Sequence, residues 1–224
     1  MRLDKTKHQV HNLIILDESG SMGAIKLTII KGFNEIVETV QGIEKQFLEQ
    51  EHFISFVTFN GLGQKTLLWK EPVSKIEQID VRSYQPEAST PLYDAIGSSC
   101  VKLRKDLEAE TEFNVLVTIL TDGEENASKE YSGKAIKELI EELKLNRWAF
   151  TYIGADHDVE KFARSISINN SMTFQKNDAD MKAMFEKESR SRHSHSMKIR
   201  NHEDTDKYFY EEQDKAMDKD QNKS

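Results

Sequence analysis

Short apolar runs and longer amphipathic stretches alternate along most of this chain. Runs rich in β-branched and aromatic residues, such as 53–59, predict buried strands. Apolar residues that recur every three or four positions, as between 25 and 47, predict helices. The predicted strands are 10–16, 53–59, 66–69, 113–120, 148–154 and 172–174. The predicted helices are 25–47, 91–107, 132–145, 159–166 and a last one that contains Met181, Met184 and Phe185.

The order of these elements predicts the fold class. Strands that alternate with helices are typical of a mostly parallel sheet with helices on both faces. A turn signal at residues 60–63 separates two closely spaced strands, which should pair as an antiparallel hairpin. We therefore expect an α/β fold with a doubly wound, mostly parallel central sheet and one antiparallel edge strand.

The alternating pattern stops near residue 189. Residues 1–188 are predicted to form one domain, and residues 189–224 a charged, low-complexity tail. This tail has too few apolar residues to offset the entropy of ordering it, so we expect it to be disordered or loosely helical. Its histidines, His193, His195 and His202, are accordingly expected to be solvated.

Composition narrows the function classes. The chain has 224 residues and a net charge of −8, which disfavours nucleic acid or an anionic membrane as the main partner. It has one cysteine, Cys100, so it forms no internal disulfide, and this thiol is expected to be buried. No secretory signal is visible, and no apolar run approaches the ~20 residues that span a bilayer. The expected location is the cytoplasm.

Oxygen-bearing side chains follow the first predicted strand. Asp17 ends its apolar run, and Ser19 and Ser21 follow at alternate positions in a glycine-containing loop. In open α/β sheets, ligands bind at the carboxyl ends of the strands. One carboxylate and two hydroxyls suit a hard cation such as Mg²⁺, Mn²⁺ or Ca²⁺.

Residues 17–21 resemble the D-x-S-x-S motif of von Willebrand factor A (vWA) domains. Residues 89–96 resemble the threonine loop of that family and contain Thr90, and residues 120–124 resemble its aspartate loop and contain Asp122. Segments 121–128 and 152–155 are most similar to small stand-alone bacterial or phage vWA proteins. Residues 87–89, Glu-Ala-Ser, lack the glycine that often precedes the threonine loop.

The resemblance implies a metal-ion-dependent adhesion site and a non-enzymatic, protein-binding function. Ser19, Ser21 and Thr90 would give hydroxyl ligands, and Asp17 and Asp122 would bind the ion directly or through water. An Asp or Glu of a protein partner would complete the coordination. The acidic residues expected on the rim of the site, where they would tune partner charge, are Glu18, Glu124 and Glu125.

Two other interpretations of these residues stay open. Taken singly, each of Asp17, Ser19, Ser21, Thr90 and Asp122 can be interpreted as an ordinary helix-cap or turn residue. Alternatively, a near match to a nucleophile elbow around Ser21, with Asp122 and His157 later in the chain, predicts a serine hydrolase. The acidic residues beside His157 are expected to be helix caps rather than a second metal site.

Overall fold

The computed structural model describes residues 7–155 and 157–210. All six strands predicted from the sequence are confirmed and form one sheet in the order β3-β2-β1-β4-β5-β6. The strands are β1 His8–Asp17, β2 Gln50–Asn60, β3 Gly63–Pro72, β4 Phe113–Thr121, β5 Trp148–Gly154 and β6 Asn170–Thr173. The helices are α1 Lys26–Gln46, α2 Leu92–Asp106, α3 Gly133–Lys144, α4 Val159–Ser165 and α5 Asp178–Arg200. Short 3₁₀ helices occupy Gly20–Ile25 and Val73–Lys75.

The sheet is mixed in the predicted way. β3 pairs with β2 in antiparallel fashion at one edge, and the other neighbouring pairs are parallel. β1 lies between β2 and β4, so the chain leaves β1 towards one side of the sheet and later returns on its other side. The loops that follow β1 and β4 therefore diverge, which opens a crevice at their carboxyl ends.

Helices cover both faces of the sheet. α2, α3 and α4 pack on the face that holds Leu13 and Ile15, whereas α1 and α5 pack on the face that holds Ile14 and Leu16. Because successive strand residues point to opposite faces, the continuous apolar run in β1 supplies both cores. Gly32 allows α1 and α5 to approach closely, since a β-carbon at this position would lie 2.0 Å from the ring of Phe185.

In the described residues, ordered structure continues past the predicted boundary at residue 188. α5 continues to Arg200, and Phe209 and Tyr210 beyond it are buried against the sheet. His195 is also buried, although it was expected to be solvated. The remainder of the predicted tail, residues 211–224, lies outside the described residues.

Polar contacts help to hold the second half of α5 on the sheet. The Arg192 guanidinium is 2.9 Å from a Glu188 carboxylate oxygen and donates to Asn12 at 2.8 Å and to Thr118 at 2.6 Å. The Tyr210 hydroxyl donates to Glu188 at 2.7 Å. Every charge in this group has a partner, as buried ionic groups require.

Candidate metal site

Asp17 is the last residue of β1, and it is fully buried. Its two carboxylate oxygens accept separate hydrogen bonds: Oδ1 from the backbone N–H of Ser19 at 2.7 Å, and Oδ2 from the hydroxyl of Thr121 at 2.6 Å. The Tyr84 hydroxyl donates to the Asp17 carbonyl at 2.6 Å. Asp17 is therefore held in one orientation by the next residues of its own loop, by β4 and by the segment before α2.

The two serines lie between Asp17 and Asp122. The Ser19 and Ser21 hydroxyl oxygens are 3.2 Å apart, and the Ser21 hydroxyl donates to Asp122 Oδ1 at 2.6 Å. Asp122 directly follows β4 and is buried. The loop after β1 and the loop after β4 thus meet through a chain of oxygen atoms.

Thr90 brings a third segment to the same place. Its hydroxyl oxygen lies 3.6 Å from the position that a β-carbon on Gly123 would occupy. The backbone N–H of Thr90 donates to the Asn126 side chain at 3.0 Å, and the N–H of Asn126 donates to the Thr90 carbonyl at 3.2 Å. Hydrogen bonds therefore link Asp17, Ser19, Ser21 and Asp122 in one group, and the Thr90 hydroxyl lies beside Gly123, the residue that follows Asp122.

Electrostatically, the site holds two buried carboxylates. Burial raises the pKa of Asp17 to about 6, and the neighbouring Asp122 adds to this increase, while hydrogen bonds from Thr121 and Ser19 oppose it. The Lys176 ammonium lies 2.7 Å from Asp122 Oδ2. Two buried carboxylates beside this ammonium give the site more negative than positive charge, which favours an added cation.

The donor set fits a hard divalent ion. Two carboxylates and three hydroxyls are all oxygen donors, which suit Mg²⁺, Mn²⁺ or Ca²⁺ rather than a softer metal. Within residues 7–155 and 157–210, no cluster of three or more His, Cys, Asp or Glu side chains could hold a metal ion. A site at this edge would therefore depend on its hydroxyl oxygens.

Known proteins resemble this chain in structure rather than in sequence. No family model matches the sequence, and no curated protein is significantly similar to it. Over 85% of its length, the chain superposes on a von Willebrand factor type A protein from Catenulispora acidiphila with a TM-score of 0.56 and 14% identity. It spans 43% of that protein. The fold is that of a von Willebrand factor A domain.

Two further vWA-like structures also resemble this chain. The VWA domain of SpRpn10 matches 78% of this chain with a TM-score of 0.51 and 10% identity, and 92% of that domain is covered. The manganese-loaded TRAP protein of Plasmodium vivax matches 80% with a TM-score of 0.50 and 18% identity, and 73% of it is covered. At these identities the comparisons establish the vWA fold and nothing finer.

In this vWA fold, two of the three predicted rim residues do not form a rim. Glu18 is 1% exposed and accepts hydrogen bonds from the Thr58 hydroxyl at 2.7 Å and the Gln85 N–H at 2.5 Å. The Lys65 ammonium lies 3.2 Å from the same carboxylate. The expectation for Glu18 is therefore wrong, because its side chain joins the loop after β1 to β2 and to the segment before α2.

The Glu125 carboxylate also forms hydrogen bonds within the protein. Its carboxylate accepts from the N–H groups of Ala127, Ser128 and Tyr93 at 2.7–2.8 Å, so it organises the loop after Asp122 and the start of α2. Glu124 is exposed, as a rim residue would be.

The hydrolase arrangement is not present in this vWA fold. The two ring nitrogens of His157 contact the Ala155 carbonyl at 2.5 Å and the Tyr152 hydroxyl at 3.1 Å, not Ser21 or Asp122. Beside it, Asp158 caps α4 by accepting from Lys161 N–H at 3.1 Å, as the sequence predicted. Asp156 lies outside the described residues.

Three residues of the site were not found by sequence reasoning. Thr121 and Tyr84 orient Asp17, and Lys176 pairs with Asp122. Thr121 had a usable signal, since it directly precedes Asp122 at the end of an apolar run. Tyr84 and Lys176 come from loops with no recognisable pattern, so only the tertiary structure identifies them.

Proposed function

We propose that this protein is a divalent-metal-dependent protein-binding module. The observation that supports the proposal is the hydrogen-bonded chain from Ser19 through Ser21 to Asp122, with the Thr90 hydroxyl beside Gly123, at the carboxyl edge of the sheet. A set of unrelated helix caps and turn residues would have no reason to meet at one point. The vWA fold adds support, because the manganese-loaded TRAP protein has the same architecture.

Ser19, Ser21 and Thr90 would hold the ion through their hydroxyl oxygens, and Asp17 and Asp122 directly or through water. When bound, the ion supplies a positive centre that attracts a further oxygen ligand. The two carboxylates balance a charge of +2, while the neutral hydroxyls leave the centre able to attract another carboxylate. Glu124 would lie beside the incoming group and disfavour partners with extra negative charge.

The partner class follows from this charge balance. We propose a protein that presents an Asp or Glu side chain, which would complete the coordination of Mg²⁺, or of Mn²⁺ or Ca²⁺. The net charge of −8 argues against nucleic acid or an anionic membrane. No helix in the described ranges combines the length and apolar character needed to cross a lipid bilayer. The proposal places the protein in the cytoplasm and gives it no enzymatic role.

Calorimetric titration with Mg²⁺ tests the metal site. Asp122→Ala and Thr90→Val should each weaken binding by at least about tenfold, since each removes one proposed ligand. Glu160→Gln, which neutralises an exposed carboxylate on α4, should bind like the wild type. Equal affinities in all four proteins, or no binding to the wild type, would refute the metal site.

Partner binding is tested separately. Proteins captured in Mg²⁺ should be lost in a chelator and lost with Ser21→Ala, and each captured partner should lose binding when one acidic residue is changed to its amide. Capture that is indifferent to chelator and to Ser21 would exclude the proposed mode of binding, even if the ion itself binds.

A further inference from the structure

Lys176 places a cation of the protein itself at the candidate metal site. It lies between the end of β6 at Thr173 and the start of α5 at Asp178. Its ammonium is 2.7 Å from Asp122 Oδ2, and its side chain is only 23% exposed, while that of Asp122 is fully buried. The pair is thus largely removed from water, where an ionic contact is screened less than at the surface.

The Lys176 segment is anchored on both sides. Before it, Phe174 is buried, and its N–H donates to the Gly154 carbonyl at 3.0 Å. After it, the Asn177 side chain caps α5 by accepting from the N–H of Asp180 at 2.9 Å. The ammonium is therefore delivered to Asp122 by a segment that continues directly into α5.

We infer that Lys176 is a competitor of the divalent ion: it pairs with Asp122 when no ion is bound, and it withdraws because the ion takes up the same carboxylate oxygen, Oδ2, directly. This inference rests on the proposed metal site. Its physical basis is that an ammonium and a divalent cation cannot share one carboxylate oxygen without strong repulsion. Lys176 therefore lowers the apparent metal affinity, and metal binding alters the segment that leads into α5.

Metal titration of three lysine variants tests this inference. Lys176→Met keeps the length of the side chain without its charge and should bind Mg²⁺ about 5- to 30-fold more tightly than the wild type. Lys176→Arg keeps the charge and should stay close to the wild-type affinity. Lys182→Met, which removes an exposed ammonium from α5, is the matched control and should change nothing.

Thermal unfolding gives a second measurement. If Lys176 had a purely structural role, Mg²⁺ would shift the unfolding temperature of the wild type and of the variant equally. Without metal, Lys176→Met should unfold at a lower temperature than the wild type, because Asp122 loses its countercharge. With saturating Mg²⁺ the gap should close, so the variant gains more from the ion. Hydrogen exchange in residues 174–178 should increase on metal addition in the wild type and less in Lys176→Met.

The outcomes separate this inference from the proposed function. If Asp122→Ala abolishes Mg²⁺ binding while Lys176→Met binds with wild-type or weaker affinity, the metal site stands and the competitor role is overturned. If the wild type binds no Mg²⁺, or Asp122→Ala leaves binding intact, the metal site fails and this inference fails with it.

Discussion

The hydroxyl of Thr121 donates a hydrogen bond to Oδ2 of Asp17 across 2.6 Å, and this contact joins the carboxyl ends of two adjacent strands. It favours the ionised form of Asp17, against the burial that raises the pKa of that carboxyl. The position of Thr121 next to Asp122 means that one short segment both orients the first carboxylate and supplies the second.

Replacing Thr121 by valine should weaken both the fold and the metal site. The variant keeps the side-chain shape but loses a hydrogen bond to a buried carboxylate, so we expect the free energy of unfolding to fall by about 1–3 kcal/mol. Mg²⁺ affinity should also fall, because ionising Asp17 becomes costlier. Urea unfolding and calorimetry measure the two effects. Thr66→Val on exposed β3 is the control, and identical behaviour of both variants would contradict this role of Thr121.

Asp17→Asn should stabilise the metal-free protein while removing its response to metal. The folded-state pKa of Asp17, about 6, lies above the ordinary value of 3.8, so its stabilising contribution is complete below pH 3.8 and is lost as the pH rises through 6. The asparagine variant avoids this loss and should gain up to about 3 kcal/mol at pH 7. The gain should vanish near pH 4, and Mg²⁺ should stabilise only the wild type. Lower stability than wild type at pH 7 would contradict the account.

Three buried histidines should make the fold sensitive to acid. Burial, together with nearby cations such as Arg192 and Lys70, lowers the pKa of His11, His52 and His195 to about 3. Because these values lie below the ordinary 6.5, the neutral imidazoles stabilise the fold fully above pH 6.5, and this stability is lost as the pH falls towards 3. Each histidine contributes a slope of up to about 1.4 kcal/mol per pH unit in that range.

His195→Gln tests this acid response. Between pH 6 and pH 4, the free energy of unfolding should fall less steeply in the variant than in the wild type. The difference in slope should equal the contribution of one histidine. Chemical unfolding at several pH values gives the slope, and His202→Gln, on an exposed residue, should leave it unchanged. Parallel slopes in wild type and His195→Gln would show that His195 titrates normally.

The buried ion pair of Glu188 and Arg192 in α5 predicts that a second substitution can recover the stability lost through the first. Arg192→Met leaves Glu188 buried without its countercharge and should cost about 3–5 kcal/mol of stability. Adding Glu188→Gln should recover much of this loss, because the Tyr210 and Thr118 hydroxyls still contact a neutral amide. Additive losses in the double variant, measured by urea unfolding, would show that the two residues act independently.

Sequence patterns predicted the sheet and most helices because those elements bury apolar residues at regular spacing. The length of α5 was missed for a physical reason. Residues 188, 192, 195 and 199 recur at helical spacing on its buried side, but three of them are Glu, Arg and His, and their burial depends on partners elsewhere in the chain. A hydropathy pattern does not predict a helix face that is buried through polar contacts.

In the candidate site, too, some features could be predicted from the sequence and others could not. Asp17, Ser19, Ser21, Thr90 and Asp122 could be chosen from the sequence because a strand end or a helix start flanks each loop that carries them. The direction of Glu18 could not be predicted, since it depends on Thr58 and Lys65, which are about 40 residues or more away along the chain. The contact between Lys176 and Asp122 could not be predicted either, because the two residues are also distant along the chain.

The central claim is that hydroxyl oxygens, and not merely two acidic residues, bind the divalent ion. Counting free Mn²⁺ by electron paramagnetic resonance tests it most directly, with the wild type compared with the double variant Ser19→Ala, Ser21→Ala, in which both carboxylates remain. We expect about one Mn²⁺ per wild-type chain and at least a tenfold loss of affinity in the double variant, equivalent to about 1.4 kcal/mol. Equal Mn²⁺ affinity in the two proteins, or no binding to either, would contradict the claim.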